Sequence, residues 1–252
     1  GKTVRSNYRT EASMEKVHKV FGYYTDNPSV LMDKIDWVKA DITDVGGLDS
    51  LFEGIELVYH CAALISFDPK DYKTLERTNV EGTYNVLEAA RQKSIDNLII
   101  TSTSETYGTA QFTPIDEDHP KVGQSPYSAS KIAADQLALS YHRSFGLPVT
   151  IARPFNTYGP RQSGRAVIPA IISQALFQSH VKIGNGTPTR DFCYVQDTVA
   201  GLLAIAASNS SVGEVINFGT GKTTTISGLA DLIVKLVDRP LKINYEEVRS
   251  RP

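Results

Sequence analysis

The sequence predicts an α/β fold: a doubly wound parallel sheet with a smaller substrate-binding lobe. Short apolar runs alternate with amphipathic stretches along most of the 252 residues, and such alternation is typical of parallel crossovers. Several apolar runs are near-continuous Val, Ile and Leu, which suits strands buried on both faces. Polar segments follow some of these runs, where the carboxyl ends of parallel strands bind ligands.

Each element follows from its local pattern. Leu75, Val80, Tyr84 and Leu87 recur at helical spacing, for example, and indicate a long helix. Predicted strands are 3–8, 35–40, 56–62, 97–103, 148–154 and 214–219, and predicted helices are 11–24, 46–53, 71–93, 126–145, 166–178, 197–207 and 227–237. After about residue 155 the spacing loosens around Gly and Pro. We therefore expect a dinucleotide-binding domain over 1–155 and, over 156–252, the last sheet elements with the substrate lobe.

Composition narrows the function classes. The net charge of −2 gives no basic footprint for nucleic acid. No apolar run approaches the roughly 20 residues of a membrane span, and the polar start has no signal-peptide core. We expect a cytoplasmic protein with no membrane partner. Cys61 and Cys193 lie in apolar runs and are expected to be buried thiols, and the five scattered histidines predict no metal site.

The ends of the chain differ from the usual pattern of this fold. A doubly wound nucleotide fold opens with an apolar strand and a Gly-rich turn onto a helix, where backbone N–H groups hold a pyrophosphate. Here the only early glycine is Gly1, and a second-strand pattern follows at once. The simplest interpretation is an internal piece that lacks this first strand, its turn and a C-terminal tail. The alternative is a complete chain that binds no dinucleotide.

The segment "SPYSASK" places a tyrosine and a lysine on one helical face. Ser125 and Pro126 are typical of a helix start. Tyr127 and Lys131 are then one turn apart. A free tyrosine has a pKa near 10, and a nearby ammonium lowers it towards the range of a general base. The pair predicts a tuned acid/base, although a lone Y-x-x-x-K occurs often by chance.

Three further segments supply the context. "TSTSETYG" (101–108) follows a predicted strand and places hydroxyls beside a carboxylate, or is only a hydroxyl-rich surface turn. "ARPFNTYGPRQ" (152–162) ends in turn residues and presents Asn156. "RDFCYVQD" (190–197) carries Arg190, whose guanidinium suits a bidentate phosphate contact. The alternative for Arg190 is a salt bridge to Asp191 or Asp197.

These motifs together resemble the extended short-chain dehydrogenase/reductase family, the nucleotide-sugar epimerases and dehydratases. The resemblance covers nearly the whole chain, and its specificity lies in the order and spacing of the segments. Those segments are "KADITD", "HCAA", "TNVEGT", "TSTSETYG", "YSASK", "ARPFNTYGP" and "RDFCYVQD".

The resemblance implies an NAD cofactor, a nucleoside-diphosphate hexose substrate and a site made of several segments. It makes Tyr127 the acid/base, Lys131 its partner on the nicotinamide ribose, and Asn79 a structural polar residue. The other implied positions are Thr103, Ser104 and Glu105 for catalysis; Asp41, Ile42, Ala62, Ala63, Thr101 and Pro154 for the cofactor; and Asn156, Val167, Ile168 and Arg190 for the substrate.

Glu105 separates two reactions of the family. A carboxylate there can remove the C5 proton of a 4-keto sugar, so the triplet Thr103-Ser104-Glu105 resembles 4,6-dehydratases. Family epimerases usually carry a small neutral residue at this place. A 4-epimerase and an inactive binding protein of the same fold stay as alternatives.

The choice of dinucleotide and the oligomeric state are also open. NADP is an alternative to NAD because Arg5 or Arg9 can meet a 2′-phosphate. The resemblance further implies a homodimer through helices 71–93 and 126–145. The alternative to the homodimer is that these two helices only cover one face of the sheet.

Overall fold

The computed structural model describes residues 3–246, which form two compact units that alternate along the chain. The first unit takes in residues up to 100, then 125–151 and 212–214. The second comprises 101–124, 152–211 and the residues from 215 onward.

The first unit begins with a parallel strand pair. β1 (Val4–Tyr8) pairs with β2 (Ile35–Lys39), with Val4 opposite Ile35. Two helices, α1 (Glu11–Phe21) and α2 (Ser29–Met32), connect the strands. Arg5 joins the pair to the helix α3 (Val45–Leu51): its Nε is 2.6 Å from Asp36 Oδ2, and its Nη1 donates to the Glu53 carbonyl at 2.7 Å.

The central strands of the first unit are parallel and apolar. β3 (Leu57–His60) pairs with β4 (Asn97–Thr101), with Leu57 opposite Asn97. The next neighbour of β4 is β5 (Val149–Pro154), and the Leu98 N–H donates to the Pro148 carbonyl at 2.9 Å. The β4 residues Leu98, Ile99 and Ile100 are fully buried, as expected for strands covered on both faces.

Two long helical stretches pack together in the first unit. Residues 69–92 run through a 3₁₀ turn, α4 (Tyr72–Leu75), a π-helical stretch at Glu76–Glu81 and α5 (Gly82–Gln92). α6 (Pro126–Phe145) contacts α5. The interior residues Leu87, Ala90, Ala134 and Ala138 are fully buried. A π-helical stretch is rare and often marks a functional site.

Within residues 3–246, the second unit is built on short strands and three α-helices. It holds β6 (Asn156–Tyr158), α7 (Val167–Phe177), β7 (His180–Ile183), β8 (Thr189–Tyr194), α8 (Val195–Ala206), β9 (Val215–Phe218), β10 (Thr223–Thr225), α9 (Ile226–Val237) and β11 (Lys242–Tyr245). β8 lies between β10 and β6, β11 pairs in parallel with β7, and the end of β5 bonds to β9. Its core contains Ile171, Val181, Leu229 and Ile233.

The α/β fold with parallel strands is confirmed, and one burial prediction is wrong. Cys193 is buried on β8, but Cys61 is exposed. The predicted strand ran from 56 to 62, whereas β3 ends at His60, so Cys61 lies in the open segment beyond the ladder. The domain boundary near residue 155 stays a prediction. Within residues 3–246, none of the helices is both long and apolar enough to cross a bilayer.

Candidate active site

The first turn of α6 carries the predicted acid/base pair in the first unit. Ser125 Oγ accepts from the Ser128 N–H at 3.1 Å, and the Ser125 N–H donates to Ser128 Oγ at 3.0 Å. This reciprocal cap, with Pro126 at the first helical position, starts the helix. Tyr127 and Lys131 follow on one face, and both are buried. The cap thus fixes the depth of both side chains.

Burial changes the charge states around Lys131. Desolvation lowers the pKa of Lys131, while the negative charge of Asp135, one turn further along α6, raises it. His60 is buried at the end of β3, and its pKa is lowered to about 3, first by burial and then by the charge of Lys131. The His60 ring is therefore neutral near pH 7, and its Nε2 lies 3.0 Å from Thr83 Oγ1.

Asn79 joins three parts of the first unit. It lies in the π-helical stretch and is 1% exposed. Its Oδ1 accepts from the Leu64 N–H at 2.7 Å, and its Nδ2 donates to the Leu64 carbonyl and to Ser130 Oγ, both at 2.9 Å. Ser130 Oγ in turn donates to the Tyr127 carbonyl at 2.7 Å. The segment after β3 is thus fastened to the turn that carries Tyr127.

A cavity of about 400 Å³ lies beside the Tyr127 turn. The Phe67 ring meets the Tyr127 ring edge-on, with centroids 6.3 Å apart. Ser66, Phe67, Asp68, Pro69, Tyr72, Leu75 and Pro126 line the cavity. Its walls are mainly apolar, because Ser66 Oγ is turned to Asp71 Oδ2 at 2.6 Å and Asp68 Oδ1 accepts from the Lys70 N–H at 3.0 Å.

The predicted adenine-flanking residues differ in accessibility. Asp41 Oδ1 accepts from the N–H and the hydroxyl of Thr43, both at 2.9 Å, and the backbone hydrogen bond is the main cause of its lowered pKa. Arg9 Nη1 is 3.9 Å from Asp41 Oδ2. Ile42 is buried, and its side chain lies where a Cβ on Gly82 would be placed. Asp41 remains accessible to a ligand, whereas Ile42 is mostly used in packing.

In the second unit, the predicted catalytic triplet lies on a short turn. Thr103 Oγ1 accepts from the Glu105 N–H at 3.2 Å and caps a 3₁₀ turn over Ser104–Tyr107. Glu105 is exposed, Thr101 and Thr103 are half-buried, and Thr106 and Tyr107 are fully buried. One side of the turn is therefore anchored inside the unit, while the other presents a carboxylate.

The predicted phosphate-binding residues lie on neighbouring strands. Asn156 on β6 pairs with Phe192 on β8, and its Nδ2 donates to the Asp191 carbonyl at 3.2 Å. Arg190 is exposed and donates to the Thr189 carbonyl at 2.8 Å. Among residues 3–246, no ion pair joins Arg190 to Asp191 or Asp197. The Asp191 carboxylate instead accepts from Thr220 and Gly221.

The remaining predicted residues of the second unit flank these strands. Pro154 ends β5. Val167 and Ile168 begin α7, where both pack against the apolar core of that unit. Their roles towards a nucleotide stay predictions.

The NAD dependent epimerase/dehydratase family matches residues 6–219. The chain belongs to this family. It is 34% identical, over 85% of its length, to a dTDP-glucose 4,6-dehydratase of Streptomyces antibioticus. It spans 63% and 60% of the lengths of that relative and of the Streptomyces griseus enzyme of the same name.

Solved structures of this family include both reaction types. One is a dTDP-glucose 4,6-dehydratase from Streptomyces venezuelae, solved with NAD. The match includes 84% of this chain and 68% of the dehydratase chain, with 27% sequence identity and a TM-score of 0.78. A UDP-glucuronic acid 4-epimerase from Bacillus cereus, with UDP-glucuronic acid and NAD, gives the same coverages, 31% identity and a TM-score of 0.79. Similarity alone does not separate the two reactions for this member of the family.

The first unit's residues fit the cofactor of this NAD-dependent family. The ammonium group of Lys131 is a donor suited to ribose hydroxyls. Ala62 and Ala63 are exposed just beyond β3 and have small side chains that let a dinucleotide approach the backbone. Arg5 is already bonded to Asp36 and Glu53, which leaves Arg9 as the candidate for the 2′-phosphate of NADP.

Sequence reasoning missed the buried and half-buried polar residues that support both sets of site residues. His60 and Ser130 in the first unit, and Tyr107, Arg153 and Asn217 in the second, were not singled out. Arg153 carried a usable signal, because an arginine inside the buried run "PVTIARP" requires partners. The partners themselves lie too far away in the sequence to be read from it.

Proposed function

We propose that this family member is an NAD-dependent 4,6-dehydratase of nucleoside-diphosphate hexoses. Glu105 carries the proposal: an exposed carboxylate two residues after the Thr103 hydroxyl, on an anchored turn. A 4-keto sugar has an acidic C5 proton, because the carbanion becomes an enolate. A carboxylate within reach of C5 can act as the general base that removes this proton.

The first step is oxidation at C4. Tyr127 takes the proton of the C4 hydroxyl, and the positive charge of Lys131 stabilises the phenolate. Thr103 donates to or accepts from the same sugar hydroxyl and orients it. Bound NAD supplies the hydride acceptor for C4 and the donor for the last step. The neutral ring of His60 adds no positive charge to compete with Lys131.

The second step is elimination. Glu105 removes the C5 proton and returns it, directly or through the Ser104 hydroxyl, to the C6 hydroxyl, which leaves as water as the C6–O bond breaks. The hydride taken from C4 returns to C6, and C5 takes a proton from solvent in place of the C4 hydroxyl proton that Tyr127 took up and releases. The sum is a hexose converted into a 4-keto-6-deoxy hexose and one water, with no net oxidation.

The substrate's diphosphate is assigned to the second unit. Arg190 provides an exposed guanidinium and Asn156 a half-buried amide on neighbouring strands. Guanidinium groups bind phosphate oxygens bidentately. Val167 and Ile168 are proposed to contact the nucleotide base. The particular sugar and base follow only from experiment.

A 4-epimerase is the second candidate. It is favoured by the similarity to the Bacillus cereus UDP-glucuronic acid 4-epimerase. Epimerisation needs Tyr127 and Lys131 but no proton acceptor at C5, so it gives Glu105 no role. An inactive binding protein is the third candidate, although it would be expected to have lost Tyr127, Lys131 or Thr103, and the chain carries all three.

Product mass distinguishes these candidates. The protein is incubated with NAD and with a panel of UDP-, GDP- and dTDP-hexoses, and products are followed by mass spectrometry. We expect loss of water from one substrate and loss of that activity in Glu105→Gln. An isomer of unchanged mass that persists in Glu105→Gln but disappears in Tyr127→Phe would identify a 4-epimerase. No turnover of any substrate by the full-length parent protein would favour the binding protein.

The predicted homodimer rests on the outer faces of α5 and α6. The Tyr141 ring is flanked by Tyr84 and Phe145, with centroids 6.3 and 5.2 Å away. Tyr84 and Phe145 are 47% and 59% exposed. Exposed aromatic patches mark association surfaces, and we propose a second copy as the partner. Sedimentation is expected to show a dimer for the wild-type protein and a monomer for Phe145→Glu.

The cytoplasmic location stays a prediction.

A further inference from the structure

We propose that Tyr107 is a positioning residue for dehydration: its buried hydrogen bonds hold the turn that presents Glu105. The inference rests on the proposed function, since it concerns the proton transfer at C5. Glu105 and Tyr107 lie on the same 3₁₀ turn, Ser104–Tyr107. Glu105 points away from the interior, whereas Tyr107 is 0% exposed.

Arg153 holds the Tyr107 ring on one side. Its Nη1 donates to the Tyr107 hydroxyl at 3.0 Å, and its guanidinium carbon lies 5.1 Å from the ring centroid. Arg153 is 0% exposed, and a guanidinium stays charged even when buried. Hydrogen bonds to charged groups and desolvated cation–π contacts are among the stronger polar interactions. Loss of the hydroxyl would therefore remove the hydrogen bond from Arg153 and leave only the contact of the guanidinium with the ring.

Asn217 holds the hydroxyl on the other side. Burial is the main cause that raises the pKa of Tyr107, so the phenol keeps its proton near pH 7. It donates that proton to Asn217 Oδ1 at 2.8 Å. The Asn217 N–H donates to Glu117 Oε1 at 2.8 Å. The chain of bonds thus links the turn to β9 and to the segment around Glu117.

The end of the turn is fixed as well. Gly108 has φ +65°, and a Cβ there would lie 2.6 Å from the Val122 carbonyl oxygen. The Val122 N–H donates to the Thr106 carbonyl at 2.9 Å. The buried His119 ring meets the Tyr107 ring edge-on at 5.5 Å. With both its ring and its end fixed, the turn leaves Glu105 little freedom of position.

Proton removal at C5 and oxidation at C4 depend on the position of this turn to different degrees. Proton removal at C5 needs the carboxylate within hydrogen-bond reach of one carbon-bound proton, and a shift of about 1 Å can cost about 10²-fold in rate. Oxidation at C4 takes its acid/base and the partner of that base, Tyr127 and Lys131, from outside the second unit, and it uses this turn only through the Thr103 hydroxyl at its start. Loosening Tyr107 is therefore expected to slow elimination far more than oxidation.

The test is Tyr107→Phe, which keeps the ring and removes only the hydroxyl. With the substrate that the panel identifies, single-turnover absorbance of reduced nicotinamide reports oxidation, and deuterium uptake at C5 in heavy water reports proton removal. We expect oxidation within about 3-fold of wild type and C5 exchange slowed by about 10- to 100-fold. Amide exchange of residues 104–107 without ligand is expected to speed up.

Matched variants separate this effect from general loss of stability. Ser211→Ala removes a buried hydroxyl of the same unit, which donates to the Ile205 and Ser208 carbonyls at 3.0 and 2.7 Å, and is expected to leave the ratio of the two steps unchanged. If Tyr107→Phe does not fold, Asn217→Ala decides, because it removes one hydroxyl partner and keeps Arg153.

The outcomes distinguish this inference from the proposed function. Equal slowing of both steps, or no slowing of C5 exchange, in a folded variant overturns the positioning role. If that happens while Glu105→Gln still loses dehydration, only the role of Tyr107 is wrong. If Glu105→Gln keeps dehydration, the proposed function falls and this inference falls with it.

Discussion

The turn at Tyr127 and the turn at Glu105 present their chemistry in opposite ways. Tyr127 and Lys131 are buried on a 20-residue helix whose start is set by a reciprocal cap. Glu105 is exposed on a four-residue 3₁₀ turn held from beneath by distant side chains. Under the proposed function, the acid/base for oxidation lies on regular structure, whereas the group for elimination lies on a turn. Four changes test this contrast.

Tyr127→Phe is expected to have the largest effect. It removes the proposed acid/base, which would act before any other step, so both oxidation and product formation should fall by about 10³-fold or more. Single-turnover absorbance and product mass measure the two steps. The exposed Tyr23 (75% exposed) provides the control Tyr23→Phe, which should retain activity. Retained oxidation in Tyr127→Phe would remove Tyr127 from its proposed role.

Gly108→Ala tests the anchoring of the Glu105 turn. The positive φ and the 2.6 Å approach to the Val122 oxygen both oppose a side chain. We expect a loss of about 3 kcal/mol in the free energy of unfolding, measured in urea. Gly164→Ala is the matched control, because a Cβ there meets nothing within 4 Å. An equal loss in both variants would contradict the account of this turn.

His60 predicts an acid sensitivity. Its folded pKa of about 3 lies below the ordinary value, so below about pH 6.5 the unfolded chain binds a proton that the folded protein does not. Stability should be complete above that pH and fall as the pH drops towards 3. On going from pH 7 to pH 5, the free energy of unfolding should fall by about 2 kcal/mol more in the wild-type protein than in His60→Gln.

Urea unfolding near pH 7 and pH 5 measures this difference. If His60→Gln and wild type lose the same stability on acidification, the buried ring is not the source of the sensitivity.

Ser125→Ala should give the smallest change. It removes the side-chain oxygen that accepts from the Ser128 N–H, and the loss of such a cap costs about 1 kcal/mol. Thermal unfolding measures it. Ser140→Ala, in the exposed middle of α6, should not destabilise the helix. If both serine variants behave alike, the cap does not contribute.

The regular part of this contrast was predictable from the sequence. The helix 126–145 and its start were correct because capping residues and apolar spacing act locally. The predicted single helix 71–93 was only partly right, since a π-helical stretch around buried Asn79 interrupts it. That stretch depends on Leu64 and Ser130, which periodicity does not reveal.

The second unit was predicted less well. β6, β7, β8, β10 and β11 have three to six residues each, too few to show a period of two. The support of Glu105 was missed because Tyr107 bonds to residues 46 and 110 positions away. The candidate site residues could be proposed from motifs, but the side chains that hold them in place depend on tertiary contacts.

The alternation of the two units has a consequence for engineering. The chain passes from one unit to the other after residues 100, 124, 151, 211 and 214. A chimera made with one crossover cannot exchange one unit intact between relatives. To transfer the reaction type between relatives, a chimera would instead have to exchange residues 101–124 together with Arg153 and Asn217, which support that segment. A hybrid that lacks either supporting residue should be insoluble or inactive.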